Sequence, residues 1–253
     1  MDELLLGSLL PGAVPIHNNN INPVWRGNVQ LSDRRRTMYV KAVDSRTLAV
    51  EVICAVMGRS LGLPIPRPAI VNVTPIALPD LQAPALFFGS ESVDNPDLKK
   101  WLNRDSEDTM QALRSWSKLL DAGCFDEWLA NADRHGGNIL WGGGNNYSLI
   151  DHSEALPAWL PVSAAAESNS LLWAAAEGKR PKEIEQLYLK AKQGTQAYSH
   201  LSIQSEIRDI LNGVSSTSTV DTLIAFLHHR IHSLLMLISR RIGYAQNNLV
   251  LQR

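Results

Sequence analysis

With 253 residues, the chain is long enough for one large domain or for two lobes facing a shared cleft. Apolar residues make up 45%, which is material for a core, and a formal net charge of -1 excludes the basic excess of a general nucleic-acid binder, so no direct nucleic-acid binding is expected. Two cysteines in apolar surroundings, Cys54 and Cys124, exclude a disulfide framework or a metal knuckle and point to a reducing cytoplasm.

The N-terminus, Met1-Asp2-Glu3, is acidic where a secretory signal would be basic. No run approaches the length of a membrane span, and no internal repeat is found. The apolar run Leu4 to Leu10, ended by Pro11-Gly12, fits a short helix or a strand equally. His17 to Pro23 is a polar turn. It reads as an ordinary surface loop, or as one whose backbone amides at Asn18, Asn19 and Asn20 cover phosphates.

Arg36 to Val43 is expected as a strand, with Met38, Val40 and Ala42 on one face and Tyr39, Lys41 and Val43 on the other. Lys41 then lies beside apolar neighbours, either as a snorkelling strand lysine or as a cation reaching nucleotide phosphates. A helix from about Ser45 to Leu61 follows, capped by Asp44 or Ser45 and ended by Gly62 and Pro64. Glu51 sits at the edge of its apolar stripe, ten residues after Lys41, so the two can pair. Leu63 to Pro68 is a stiff connector, Ala69 to Val73 and Ala85 to Phe88 are strands, and Gly89 to Ser92 is the expected hinge.

Beyond it, Asn95 to Leu102 is expected as a short helix. A longer one should run from Ser106, as its cap, to Ala122, with Gly123 ending it. Phe125, Trp128 and Leu129 add a helical turn. Ile139 to Trp141 and Tyr147 to Ile150 form a hairpin around Gly142-Gly143-Gly144-Asn145-Asn146. Asn169 to Glu177, Pro181 to Lys192 and Ile203 to Leu211 are expected helices. Val220 to Ile242 carries the clearest helical spacing. His228 and His232 lie four apart but lack a third ligand, which reads as a plain surface face.

The stretch with chemistry is Phe125 to His152. Asp133, then Asn138 five positions on, then Asp151 thirteen further, split by a Gly-rich turn, is the layout of a phosphoryl-transfer site. The hairpin brings Asp151 back beside Asn138, so the two can share one magnesium ion, which binds through few protein oxygens. Asp133 faces the attacking hydroxyl. The plain alternative for these three is a polar turn around a hairpin. Spacing, hairpin and the upstream Lys41–Glu51 pair together argue against it. Trp128 and Trp141 are expected in the core rather than stacked on a nucleotide.

FDEWLANADRHGGNIL followed by LIDH resembles the HipA-like kinases, atypical kinases related to the phosphatidylinositol kinases, with their Asp-Arg-His-x-x-Asn loop. YVKAV and EVICAVMGRSLGLPIPRPAIV are similar to the family's lysine strand, glutamate helix and Gly-x-Pro-x-Pro exit. The resemblance covers residues 17 to 152. It departs in the Asn18 to Asn22 loop, where many kinases are glycine-rich, and at Asp151-His152-Ser153, where many have Asp-Phe-Gly. The chain is also too short for the extra N-terminal subdomain of the full-length HipA toxin, so a HipA-type partner arrangement is not expected.

The resemblance implies an α+β, two-lobed protein-kinase-like fold: a sheet-plus-helix N-lobe over residues 1–90 and a mainly helical C-lobe over residues 91–253. It implies ATP and Mg²⁺ as cofactors, Asp133, Lys41 and Glu51 as catalytic residues, and Asn138 and Asp151 as metal ligands. Lys41, Asn18 to Asn20, Asn138 and Asp151 would contact the nucleotide, while Arg134 and His135 brace the loop. The acceptor it implies is Ser or Thr of a protein. A lipid headgroup or small molecule is the alternative acceptor, and a pseudokinase binding module the alternative class.

Overall fold

The computed structural model of the chain describes residues 4–16 and 22–244. Its first part is a six-stranded sheet of β1 (Leu5–Leu9), β2 (Val14–Pro15), β3 (Val24–Gln30), β4 (Arg35–Lys41), β5 (Pro68–Val73) and β6 (Ala85–Glu91). The strand order is β1-β5-β6-β4-β3-β2. The first apolar run is thus a strand. It pairs parallel with β5, Leu5 opposite Ala69, and antiparallel with β3, Leu9 opposite Val29. The sequence reading had no counterpart for β3. Arg26 and Asn28 point to solvent and Gly27 has no side chain, so the alternation that marks a strand is nearly erased there. Register with β4 is nonetheless complete, from Val24 opposite Lys41 to Gln30 opposite Arg35.

The two faces of β4 divide as the alternation requires. Met38 and Val40 are fully buried with Val29, Val71 and Phe87 on the outer face. Lys41, opposite Phe88 in β6, is on the face covered by α1 (Ser45–Ser60). Asp44 caps that helix, its carboxylate accepting the Thr47 N–H at 2.8 Å. Every residue of α1 from Leu48 to Gly58 is buried, because it is sandwiched between the sheet and the helical region. Gly58 permits the sandwich: a Cβ there would lie 2.3 Å from Ile65 Cδ1 and 2.9 Å from Phe125 Cζ.

The helical region comprises α2 (Leu98–Leu102), α3 (Ser106–Ser115), α4 (Leu119–Leu129), α5 (Ser170–Ala176), α6 (Pro181–Gly194), α7 (Ser205–Val214) and α8 (Thr217–Arg241). Between α4 and α5 stands the hairpin of β7 (Ile139–Trp141) and β8 (Tyr147–Leu149). Trp128 is buried and donates to Leu227 O at 2.9 Å, and Trp141 stacks on Tyr147, so both tryptophans pack within the protein.

Four sequence expectations are corrected. The expected hinge, Gly89 to Ser92, is strand as far as Glu91, because Gly89, Ser90 and Glu91 pair with Val40, Tyr39 and Met38. The long helix from Ser106 is two helices. Trp116 turns extended (ψ 121°) to pack on Tyr147, and Ser117 donates to Asn145 Oδ1. The cap of α3 is Asp105 rather than Ser106, its side chain accepting the Asp108 N–H. Gly123 ends nothing. It lies inside α4 at a close approach to α5, where a Cβ would meet Leu172 N at 2.9 Å. In addition, α8 does reach the length and apolar content of a membrane span, contrary to expectation. It packs against α4, α6 and α7, and its Arg230 is fully buried against protein.

Candidate active site

The site begins where α4 ends. Ala130 takes a left-handed conformation (φ 53°), and the Asn131 N–H bonds to Asp126 O, which turns the chain into the loop Asn131 to Asn138. Arg134 holds this loop from inside. Its guanidinium makes a buried two-pronged ion pair with Asp126, both contacts 3.0 Å, and donates to Asn138 O at 3.0 Å and Ile150 O at 2.6 Å. One side chain therefore ties the end of α4, the loop and the hairpin exit together. His135 braces the surface of the loop: its Nδ1 accepts the Gly137 N–H at 2.9 Å.

Asn138 and Asp151 line the same cleft at the base of the hairpin, where the Ile150 N–H bonds to Asn138 O at 3.1 Å. The Asn138 amide nitrogen donates to Asp133 O at 2.8 Å and to Asp133 Oδ2 at 3.0 Å. Its amide oxygen is thereby left as the donor atom for a cation. Asp133 itself is half exposed and joins the cleft through Asn138.

Asp151 is left-handed (φ 58°), a conformation that aspartate tolerates better than most residues. Its Oδ1 accepts from Lys41 Nζ at 2.7 Å and from Ser153 Oγ at 2.8 Å. Lys41 Nζ also donates to Glu51 Oε1 at 3.1 Å, and the second oxygen of Glu51 accepts the His152 N–H at 2.9 Å. Glu51 therefore holds both the strand lysine and the backbone beside Asp151.

Burial and charge compete at these groups. Burial pushes Glu51 up to about 7, against the pull of Lys41. For Asp151, burial also acts upward, but Lys41 and the hydrogen bonds from Lys41 and Ser153 outweigh it and hold the carboxyl at about 2. Burial favours neutral Lys41, yet Glu51 and Asp151 prevail and raise its pKa. Burial and the nearby Arg134 cation keep His152 neutral. Asp151 is thus anionic and Lys41 cationic at neutral pH.

A cleft of about 410 Å³ runs past Lys41, Glu51, Asn138 and Asp151, and Ala55, Ile65, Phe88 and Leu149 give it an apolar wall. An apolar wall beside a lysine and two oxygen donors suits a nucleotide. Among the described residues no group of three or more His, Cys, Asp or Glu could hold a metal. The Asn138 and Asp151 oxygens could supply the smaller set of protein donors that magnesium takes when a ligand's oxygens complete its shell. His228 and His232 lie exposed on α8. Asn18, Asn19 and Asn20 lie outside the described residues.

The sequence model of the family described as HipA-like kinase matches residues 32–168, more than half of the chain. The chain belongs to the HipA-like kinase family. Among solved structures, this HipA-like kinase is similar to the crystal structure of a Helicobacter pylori proinflammatory kinase, CtkA. The TM-score is 0.51 over 92% of this chain and 97% of that chain, at 12% sequence identity. That likeness is one of fold. No curated protein matches the sequence.

Two features of this HipA-like kinase escaped the sequence reading. Ser153 contacts both Asp151 and Lys41, but a serine two residues after an aspartate carries no pattern of its own. Arg230, at the middle of α8, donates to Glu127 O, Val162 O and Ala164 O and is fully buried. Helical spacing places it on the apolar stripe, a position where an arginine signals a buried polar partner.

Proposed function

We propose that the protein is an ATP- and magnesium-dependent kinase of Ser or Thr hydroxyls on proteins, built as two lobes, residues 1–90 covering the nucleotide and residues 91–253 binding the acceptor. The observation that carries this reading is Lys41 Nζ set between Glu51 at 3.1 Å and Asp151 at 2.7 Å on the wall of a cleft that also contains Asn138. Such a lysine is oriented, charged and aimed where triphosphate oxygens would lie.

In this reading the acceptor oxygen attacks the γ-phosphorus, the bond from that phosphorus to the β–γ bridging oxygen breaks, and ADP leaves. Asp133 orients the hydroxyl and accepts its proton. Its half-exposed position suits a group that must meet a macromolecular acceptor. Asn138 and Asp151 would hold magnesium, which supplies charge neutralisation between the phosphates. Lys41 steadies the α- and β-phosphates and Glu51 fixes Lys41. Cys54 and Cys124, both free and buried, accord with a cytoplasmic setting. A protein acceptor is what the HipA-like family favours; the expected lack of a basic cluster over residues 153–219 does not hold, since Lys179, Arg180 and Lys182 lie there.

The test is transfer from radiolabelled ATP, with magnesium, to protein and lipid extracts. We expect labelled protein, with Asp133→Ala and Asp151→Ala each lowering the rate by about 10²-fold or more. Label on lipid and none on protein assigns the other acceptor class. Nucleotide binding without any transfer assigns a binding module.

A further inference from the structure

Among the described residues, three that are not glycine have a left-handed backbone: Ala130, Asp151 and Leu156. Ala130 ends α4, where that conformation is common, and aspartate tolerates it. Leucine does not, because its Cβ crowds the carbonyl oxygen that follows. Leu156, at φ 51°, keeps this backbone only while its surroundings hold it there.

The grip on Leu156 comes from two helices. Its N–H bonds to the carbonyl of Leu129, the last residue of α4, at 2.8 Å. Its carbonyl accepts from Arg46 Nη2 at 2.5 Å. The Leu156 side chain is buried in the same core cluster as Leu129. Arg46 lies in the first turn of α1, five residues before Glu51, and is not among the residues that line the cleft.

Helix α1 therefore holds the chain after Asp151 at two points. Glu51 Oε2 accepts the His152 N–H at 2.9 Å, and Arg46 donates to Leu156 O. Between them the chain makes a tight turn, closed by the Ala155 N–H to His152 O at 3.0 Å. Asp151 and Ser153, at the start of this stretch, both contact Lys41. Glu51 alone would hold α1 to the turn at one end and let the turn pivot. Taking Arg46 away leaves the Leu156 carbonyl without its donor at a residue that is already strained. The backbone then relaxes by rotating out of the left-handed region, and the turn that ends on it moves too.

We propose that Arg46 is a positioning residue for phosphoryl transfer: its bond to Leu156 O fixes the far end of the turn and so keeps Asp151 and Ser153 aligned with Lys41. This rests on the kinase reading above and adds to it a residue that lies outside the cleft.

The experiment pairs hydrogen–deuterium exchange of the nucleotide-free protein with transfer from labelled ATP to a protein extract at varied magnesium. Arg46→Met keeps the aliphatic stem and removes the donor. It should speed exchange over residues 152–157 by about tenfold while β3, β4 and α8 keep their rates. It should also raise the magnesium concentration for half-maximal transfer severalfold. At saturating magnesium its KM for ATP should change less than about twofold. Arg46→Lys, which can still donate, should restore most of both effects. Arg59→Ala is the matched control. Arg59 donates to Ile65 O at 2.6 Å from the other end of α1, and its loss should alter neither exchange over residues 152–157 nor the magnesium requirement. Unchanged exchange in Arg46→Met overturns the proposal, as does faster exchange with an unaltered magnesium requirement. Faster exchange throughout the protein with a lower thermal midpoint also overturns it, since Arg46 is then a stabilising contact only. Wild-type protein that neither binds nucleotide nor transfers phosphate removes the kinase reading and this role with it. Active wild type with an unaffected Arg46→Met removes this role alone.

Discussion

Lys41 is held by two carboxylates that titrate in opposite directions. Asp151, depressed to about 2, is anionic throughout the physiological range. It contributes stability above its ordinary 3.8 that is lost as pH falls through about 2. Glu51, raised to about 7, behaves in reverse: its contribution is complete below about 4.5 and is lost as pH rises through about 7. Activity runs the other way, because protonated Glu51 no longer holds Lys41 by charge. We expect transfer rates to fall as pH drops through about 7, and Glu51→Gln to lower the rate while flattening that limb, as a pH–rate profile would read. Ser153 donates to Asp151 Oδ1 through both its hydroxyl and its N–H, which leaves Oδ2 as the free oxygen. Ser153→Ala should therefore raise the magnesium concentration needed for nucleotide binding severalfold, measured by titration calorimetry, with Ser153→Thr restoring it. That Lys41, Glu51, Asn138 and Asp151 share one cleft was legible because they lie within two short stretches with regular internal spacing. Ser153 and the buried fork of Arg134 depend on partners that only folding brings near.

At the scale of elements, two glycines determine how closely helices approach. Gly58 sets α1 against Phe125, and Gly123 sets α4 against Leu172. Neither has a left-handed backbone, so space and not conformation requires them. We expect Gly58→Val and Gly123→Ala each to lose about 1–3 kcal/mol in urea unfolding. Gly58→Val should also slow transfer, since α1 carries Glu51. From sequence, Gly123 reads as a helix stop because glycine so often is one; its neighbour Leu172 lies across the loop and hairpin. The same contrast divides the other elements. β4, α1 and the β7–β8 hairpin are written in local alternation, caps and turn residues. The break between α3 and α4 exists because Trp116 turns to pack on Tyr147, a contact absent from any local window.

Across the molecule, Glu127 is the hub of the helical region. It is fully buried, accepts from Asn169 Nδ2 and Arg241 Nε at 3.1 Å each, and stands 3.7 Å from Arg230 Nη2. Arg230 meanwhile holds the carbonyls of Val162 and Ala164. Removing Arg230 leaves buried Glu127 with Arg241 as its remaining cation and strands the Val162 and Ala164 carbonyls. Arg230→Met should lose about 3–5 kcal/mol, and adding Glu127→Gln should restore part of it, so that a double-mutant cycle by chemical unfolding is far from additive. Two arginines thus organise the region after α4. Arg134 clamps the loop to the hairpin exit, and Arg230 clamps α8 to the segment around Val162 and Ala164. The clamps share no partner, yet both grip adjacent residues of α4, Asp126 and Glu127, so a small shift of that helix would carry the loop and the segment after Asp151 along together.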